Sequence, residues 1–160
     1  MSKALGSWSA MRKYLEEEML CESLRGRIRY AHTKYRNMDT CWGIFEVFAD
    51  GNLLKRFSAE TMGKEMQTDG KIWETYWTVK KMPVESRNAF DDEDFADGLV
   101  LYRSLPISEA LNSENPIVRM FAVFDRRVGK RTLEKLKDSI SNQPEWLRVF
   151  YTIRTESENI

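Results

Sequence analysis

A chain of 160 residues, 42% hydrophobic and 12% aromatic, is long enough to bury a core and too apolar to be a disordered polymer. Its 25 Lys and Arg residues balance 25 Asp and Glu, and a formal net charge of zero excludes whole-chain electrostatics as a reason to bind nucleic acid. Cys21 and Cys41 have neither metal-type spacing nor a CxxC arrangement, which argues against a disulfide scaffold and predicts reduced thiols.

The first predicted element is a helix capped by Ser7. Trp8, Met11, Leu15 and Met19 form its inner stripe, Glu16, Glu17 and Glu18 lie largely outside, and Gly26 is its stop. Residues 27–36 then alternate in the manner of a strand, with Ile28, Tyr30 and His32 on one side. Residues 41–49 are rich in aromatic and β-branched side chains, and Asp50-Gly51 separates them from a third apolar run at 53–58. Asp-Gly between two such runs predicts a hairpin with a type I′ turn, so an antiparallel three-stranded meander is expected.

The rest of the chain reads as helical. Ser58 opens a helical stretch in which Met62, Met66, Trp73, Tyr76 and Trp77 share a face, and Met62, Met66, Trp73 and Trp77 are read as core. Residues 71–80 also alternate, but helix is the reading taken. Residues 91–94 are four consecutive acids at a helix start, with Phe95, Leu99 and Tyr102 turned inward. A short turn at 106–111 leads to Asn115-Pro116, an N-cap followed by proline at the first helical position. Ile117, Met120, Phe121 and Phe124 follow at helical spacing. Gly129, free to take positive φ, ends that helix, and another runs over 130–140 with Leu133, Leu136 and Ile140 on one face. Pro144 opens the last, with Trp146, Val149, Phe150 and Ile153 as its stripe. The expectation is a single α+β domain over 1–160: an N-terminal helix, a three-stranded antiparallel meander and a helical C-terminal half.

Three places invite a functional reading. In the first, Arg127, Lys130, Arg131 and Thr132 surround a helix start, where free N–H groups and the helix dipole favour an anion. It is not a Walker A loop, because Phe124 stands where that motif needs glycine. The competing structural reading pairs Asp125 with Arg127 or Arg131 to lock the turn. In the second, Arg27, Arg29, Tyr30, Lys34 and Arg36 interleave charge with an aromatic ring, as a single-stranded nucleic-acid surface would. Its alternative places Tyr30 in the core and pairs the arginines with Glu16–Glu18. In the third, Asp91–Asp94 and Asp97 offer carboxylates to a divalent cation, against the plain reading that acids favour the first turn of a helix. His32 is the lone histidine, and no nucleophile-elbow, HExxH or nuclease arrangement is present.

Several blocks resemble a family of uncharacterised bacterial proteins. They are residues 20–27, Phe57-Ser58, residues 107–116, the run Asp125-Arg126-Arg127-Val128-Gly129-Lys130-Arg131, and Phe150-Tyr151. The resemblance implies one shared intracellular domain and supplies no catalytic residue, cofactor or ligand. The function expected is a cytoplasmic binding module for an anionic ligand, nucleic acid or a phosphate compound, with no cofactor and no membrane association. The alternatives are a homo-oligomeric or protein–protein scaffold and a metal-dependent hydrolase built on the acidic cluster. No catalytic motif supports an enzyme.

Overall fold

The computed structural model describes residues 5–34, 43–66 and 71–160. Helix α1 spans Trp8–Lys13, and the Ser7 hydroxyl accepts from the Ala10 N–H. The helix then widens into a π turn over Tyr14–Glu18 and stops there. The expected stop at Gly26 is therefore displaced. A 3₁₀ turn at Glu22–Leu24 intervenes, and Gly26 takes positive φ (78°) in the bend that feeds the first strand. Glu16, expected outside, is buried and paired to Arg29 of that strand.

Strands β1 (Ile28–Lys34), β2 (Gly43–Ala49) and β3 (Asn52–Phe57) form an antiparallel sheet in sequence order. The β2–β3 turn is the expected two-residue hairpin, with Asp50 and Gly51 both at positive φ (51° and 81°). The register shifts at Val47–Phe48, pairing Val47 with Lys55 but Phe48 with Leu53. This bulge turns Lys55 inward beside Phe57.

The inner face of the sheet carries Ile28, Tyr30, Phe45, Val47 and Phe57, all buried. It is covered by α4 (Asp92–Ser104) and α6 (Pro116–Val123). Phe95 of α4 stacks on Phe45 at 4.2 Å between centroids, and Phe121 of α6 stacks on Tyr30 at 6.1 Å. Each fully buried ring contributes about 1.5–3 kcal/mol of transfer free energy. Asp91 caps α4 through a capping box with Asp94, and Asn115 caps α6 by accepting from the Ile117 N–H.

The stretch read as one helical face is two helices, α2 (Ala59–Met66) and α3 (Ile72–Lys80), with 67–70 outside the described residues. Helix over 71–80 is thereby borne out. The placement of Trp73 and Trp77 in the core is not, since they are 47% and 57% exposed. The face that α3 buries is Tyr76 and Val79. These join Ala59, Met62 and Ala89 in a small hydrophobic cluster separate from the main core. Helices α5 (Ile107–Leu111), α7 (Lys130–Asp138) and α8 (Glu145–Ser157) complete the chain. On α8 the buried face is Leu147, Phe150, Tyr151, Arg154 and Thr155. Val149, assigned inward from its spacing, is 39% exposed.

Candidate functional site

The basic turn between α6 and α7 is held from beneath. Val123 is the last residue of α6, and the chain then bends through Asp125–Gly129. The Arg126 N–H donates to the Met19 carbonyl at 2.8 Å, and the Cys21 N–H to the Phe124 carbonyl at 2.9 Å, so the segment after α1 pins one side of the bend. Arg154 of α8 serves the other side. Its guanidinium is 2% exposed and donates to the carbonyls of Val123 (3.0 Å), Asp125 (2.9 Å) and Val128 (3.1 Å). A helix end buried without such donors would leave carbonyls unsatisfied.

The Asp125 carboxylate, buried inside the bend, accepts from the Tyr102 hydroxyl, from the Arg127 main-chain N–H at 2.8 Å, and from the Arg127 guanidinium. Burial, then the adjacent carboxylate, pushes the Tyr102 phenol far above its ordinary range, so it stays a proton donor. Arg127 grips Asp125 through Nε (3.0 Å) and Nη2 (2.7 Å), which raises its already high pKa. That pairing is the structural alternative to anion binding weighed for this turn. It is incomplete, because Arg127 Nη1 makes no hydrogen bond among the described residues and the side chain is 40% exposed.

Gly129 does not take positive φ. It is the extended N-cap of α7 (φ −79°, ψ 164°) and brings no side-chain acceptor to the first-turn N–H groups. Lys130, Arg131 and Thr132 are exposed there. Among the described residues, no carboxylate lies within ion-pair distance of Arg126, Lys130, Arg131 or Lys135.

A groove of about 280 Å³ runs between α5 and α7. Its polar lining is Ser108, Asn112, Arg127, Thr132 and Lys135, with no carboxylate among the lining residues. Its apolar lining is Ile107, Leu111, Val128 and Leu136. Of the four residues singled out from sequence, Arg127 and Thr132 line this groove, whereas Lys130 and Arg131 do not. Lys135, Ser108 and Asn112 were missed. Lys135 was discoverable, because it follows Thr132 by three residues and Arg131 by four on one helix. Ser108 and Asn112 gave no such signal.

The second predicted surface is largely spent on internal contacts. Arg27 forks onto Asp50 at 3.0 and 2.9 Å, and Arg29 donates to Glu16 at 2.9 Å. Tyr30 is 4% exposed and stacked on Phe121, which corrects its reading as a ring for stacking bases. Lys34 is exposed at the end of β1, and Arg36 lies outside the described residues. His32 packs on Phe45 at 4.3 Å between centroids, and burial, with a smaller contribution from the Lys34 charge, lowers its pKa.

The acidic run is not a solvated helix face. Asp91 and Asp94 are buried. Lys80 Nζ lies 2.8 Å from Asp91 and 3.3 Å from Asp94, Arg87 forks onto Asp94 at 2.8 and 3.1 Å, and the Tyr76 hydroxyl donates to Asp91 at 2.9 Å. Asp92 accepts from the Gly43 N–H. Among the described residues, no three His, Cys, Asp or Glu side chains converge as metal ligands. Lys80 and Arg87, which neutralise the cluster, were not foreseen.

The SF0329 protein family matches residues 7–155, and the chain belongs to that family. Comparison with curated proteins and with solved structures gives no match. Among the described residues, no helix is long and apolar enough to cross a membrane.

Proposed function

We propose that this member of the SF0329 protein family is an anion-binding module whose site is the turn 126–132 and the adjoining flank of α7. The observation that carries the reading is the set of exposed cations at one helix start with no carboxylate partner among the described residues, beside a groove lined by Arg127 and Lys135. Unpaired surface cations keep their full charge for an external partner, whereas Arg27 and Arg29 have already spent theirs on Asp50 and Glu16. A phosphate compound suits this site better than a single-stranded nucleic acid, since Tyr30 offers no face to a base. Cys21, a buried free thiol, fits a reducing cytoplasmic setting.

The test is titration of uniformly ¹⁵N-labelled protein with inorganic pyrophosphate and, separately, with a labelled single-stranded oligonucleotide at low and raised salt. Pyrophosphate should shift the amides of 129–136, and the joint Lys130→Ala/Arg131→Ala change should weaken binding severalfold. Absence of shifts at low salt removes the reading. An oligonucleotide bound with a steep salt dependence would favour nucleic acid instead.

A second reading, a homo-oligomeric or protein–protein scaffold, draws on the exposure of Trp73 and Trp77. Sedimentation at two salt concentrations checks it, a monomer at both counting against self-association.

A further inference from the structure

We infer that the ligand of this chain is a small amphiphilic anion, a phosphate or phosphonate head on an apolar body, seated along the groove between α5 and α7. The inference rests on the anion-binding reading and goes beyond it by assigning the ligand class. The lining of the groove mixes two cationic groups with aliphatic side chains. Arg127, Thr132 and Lys135 all line it. The Lys135 ammonium, the Thr132 hydroxyl and Arg127 Nη1 have no hydrogen-bond partner within the described residues. Asp125 holds the opposite edge of the Arg127 guanidinium, so the free edge is oriented before any ligand arrives. In the same lining, Ile107, Leu111, Val128 and Leu136 offer aliphatic surface. A bare inorganic anion leaves that surface wet, while a neutral apolar molecule leaves the cations unused. Its volume of about 280 Å³ is at the small end for ligand pockets, which suits a metabolite-sized body and not a polymer.

The experiment compares inorganic phosphate, n-hexyl phosphate and n-hexanol on the full chain by NMR titration, reading the methyl groups of Ile107, Leu111, Val128 and Leu136. The expected result is n-hexyl phosphate bound roughly tenfold or more tightly than inorganic phosphate, with those methyls shifted, since each methylene removed from water adds about a factor of four at full burial. Ser108→Trp, a change at an exposed edge of the groove, should cancel the gain, and Lys135→Gln should weaken both anions. Equal affinity for the two anions overturns the inference and leaves anion binding standing. Failure of both anions to bind removes the two readings together. Co-sedimentation with phosphatidic acid vesicles distinguishes the sources of such a head. Vesicle binding abolished by Ser108→Trp identifies a lipid, n-hexyl phosphate binding without vesicle binding identifies a soluble ester, and vesicle binding untouched by Ser108→Trp overturns the groove as the seat.

Discussion

Arg154 on the last helix donates to the main-chain carbonyl of Asp125, 29 residues earlier and 2.9 Å away, from a side chain that is 2% exposed. The same guanidinium reaches the carbonyls of Val123 and Val128, so one cation closes the end of α6 and shapes the start of α7. Hydrogen bonds from a charged donor contribute about 1.5–3 kcal/mol each, and losing the donor strands buried acceptors. Arg154→Ala should therefore destabilise the fold by roughly 3–5 kcal/mol in urea unfolding. Arg154→Lys should recover part of this, because a single ammonium cannot span all three carbonyls. A loss under about 1 kcal/mol would mean that water replaces the guanidinium.

On the other face of the same bend, Asp125 gathers Tyr102 and Arg127. Tyr102→Phe removes the hydroxyl donor from a buried carboxylate that retains Arg127, and should cost about 1–2 kcal/mol. Asp125→Ala should cost more, since it leaves the Tyr102 hydroxyl buried without its acceptor. A double-mutant cycle between Tyr102→Phe and Asp125→Asn measures the coupling; additivity of the two changes would show that the hydroxyl and the carboxylate act independently.

Much of this architecture was legible in advance where local chemistry leaves one solution. Asp50-Gly51 demanded positive φ at two successive residues, and Asn115-Pro116 could only begin a helix. The last helix was misread because an arginine counts as polar in any stripe. Phe150 belongs to both the expected face and the observed one, but Val149 and Ile153 displaced Tyr151 and Arg154 in the assignment. What draws Arg154 inward is a set of carbonyls that exists only after the α6–α7 bend forms. Trp73 and Trp77 illustrate the converse, since large aromatic rings were counted as core although α3 buries Tyr76 and Val79. Of the candidate site, the α7 side was visible as charge near a helix start. Ser108 and Asn112 lie about a helix and a half upstream, and only the packing of α5 beside α7 brings them to the groove.

The buried acid cluster sets an acid limit on stability. Burial works against the charged form of Asp94, yet the fork from Arg87 prevails and holds its carboxyl below the ordinary value. A carboxyl with a depressed folded pKa stabilises above its unfolded pKa of 3.8, and that contribution is lost as pH falls through the folded value. Asp91 opposes it: burial, then the Asp94 charge, raises its pKa, so the native state takes up a proton there before the unfolded chain does. Arg87→Ala leaves buried Asp94 with Lys80 at 3.3 Å as its one remaining cation among the described residues, and should destabilise by up to roughly 3–5 kcal/mol at neutral pH, with the loss shrinking below about pH 4. A loss that is the same at both pH values would show that Arg87 acts by packing against Phe90 and Met62 alone.

His32 sets a second, milder pH dependence. Burial, with a smaller contribution from the charge of Lys34, lowers its pKa below 6.5, while Asp92 is the carboxylate that approaches the same glycine, Gly43. A base with a depressed folded pKa binds its proton more readily when unfolded. Stability therefore falls as pH drops from 6.5 toward the folded pKa, and is flat above. Urea midpoints collected from about pH 8 down to pH 5.5 should show that slope, and His32→Gln should flatten it. An unchanged slope in the variant assigns the titration to another group.

At Gly98, α4 packs directly against α6. A Cβ placed there meets Ile117 Cγ2 at 2.6 Å and Ile117 Cβ at 3.0 Å, and Ile117 is fully buried. Alanine is the better helix former by up to about 1 kcal/mol, so an unpacked site would gain from Gly98→Ala. Overpacking costs about 1–3 kcal/mol and wins here, because a β-branched side chain inside a helix has one comfortable rotamer and cannot swing aside. Gly98→Ala should therefore lower the urea midpoint. Combined with Ile117→Ala, which frees the clashing methyl, its cost should vanish or reverse, so the double variant is more stable than the sum of the single losses. Strict additivity would place the strain of Gly98→Ala on some contact other than Ile117.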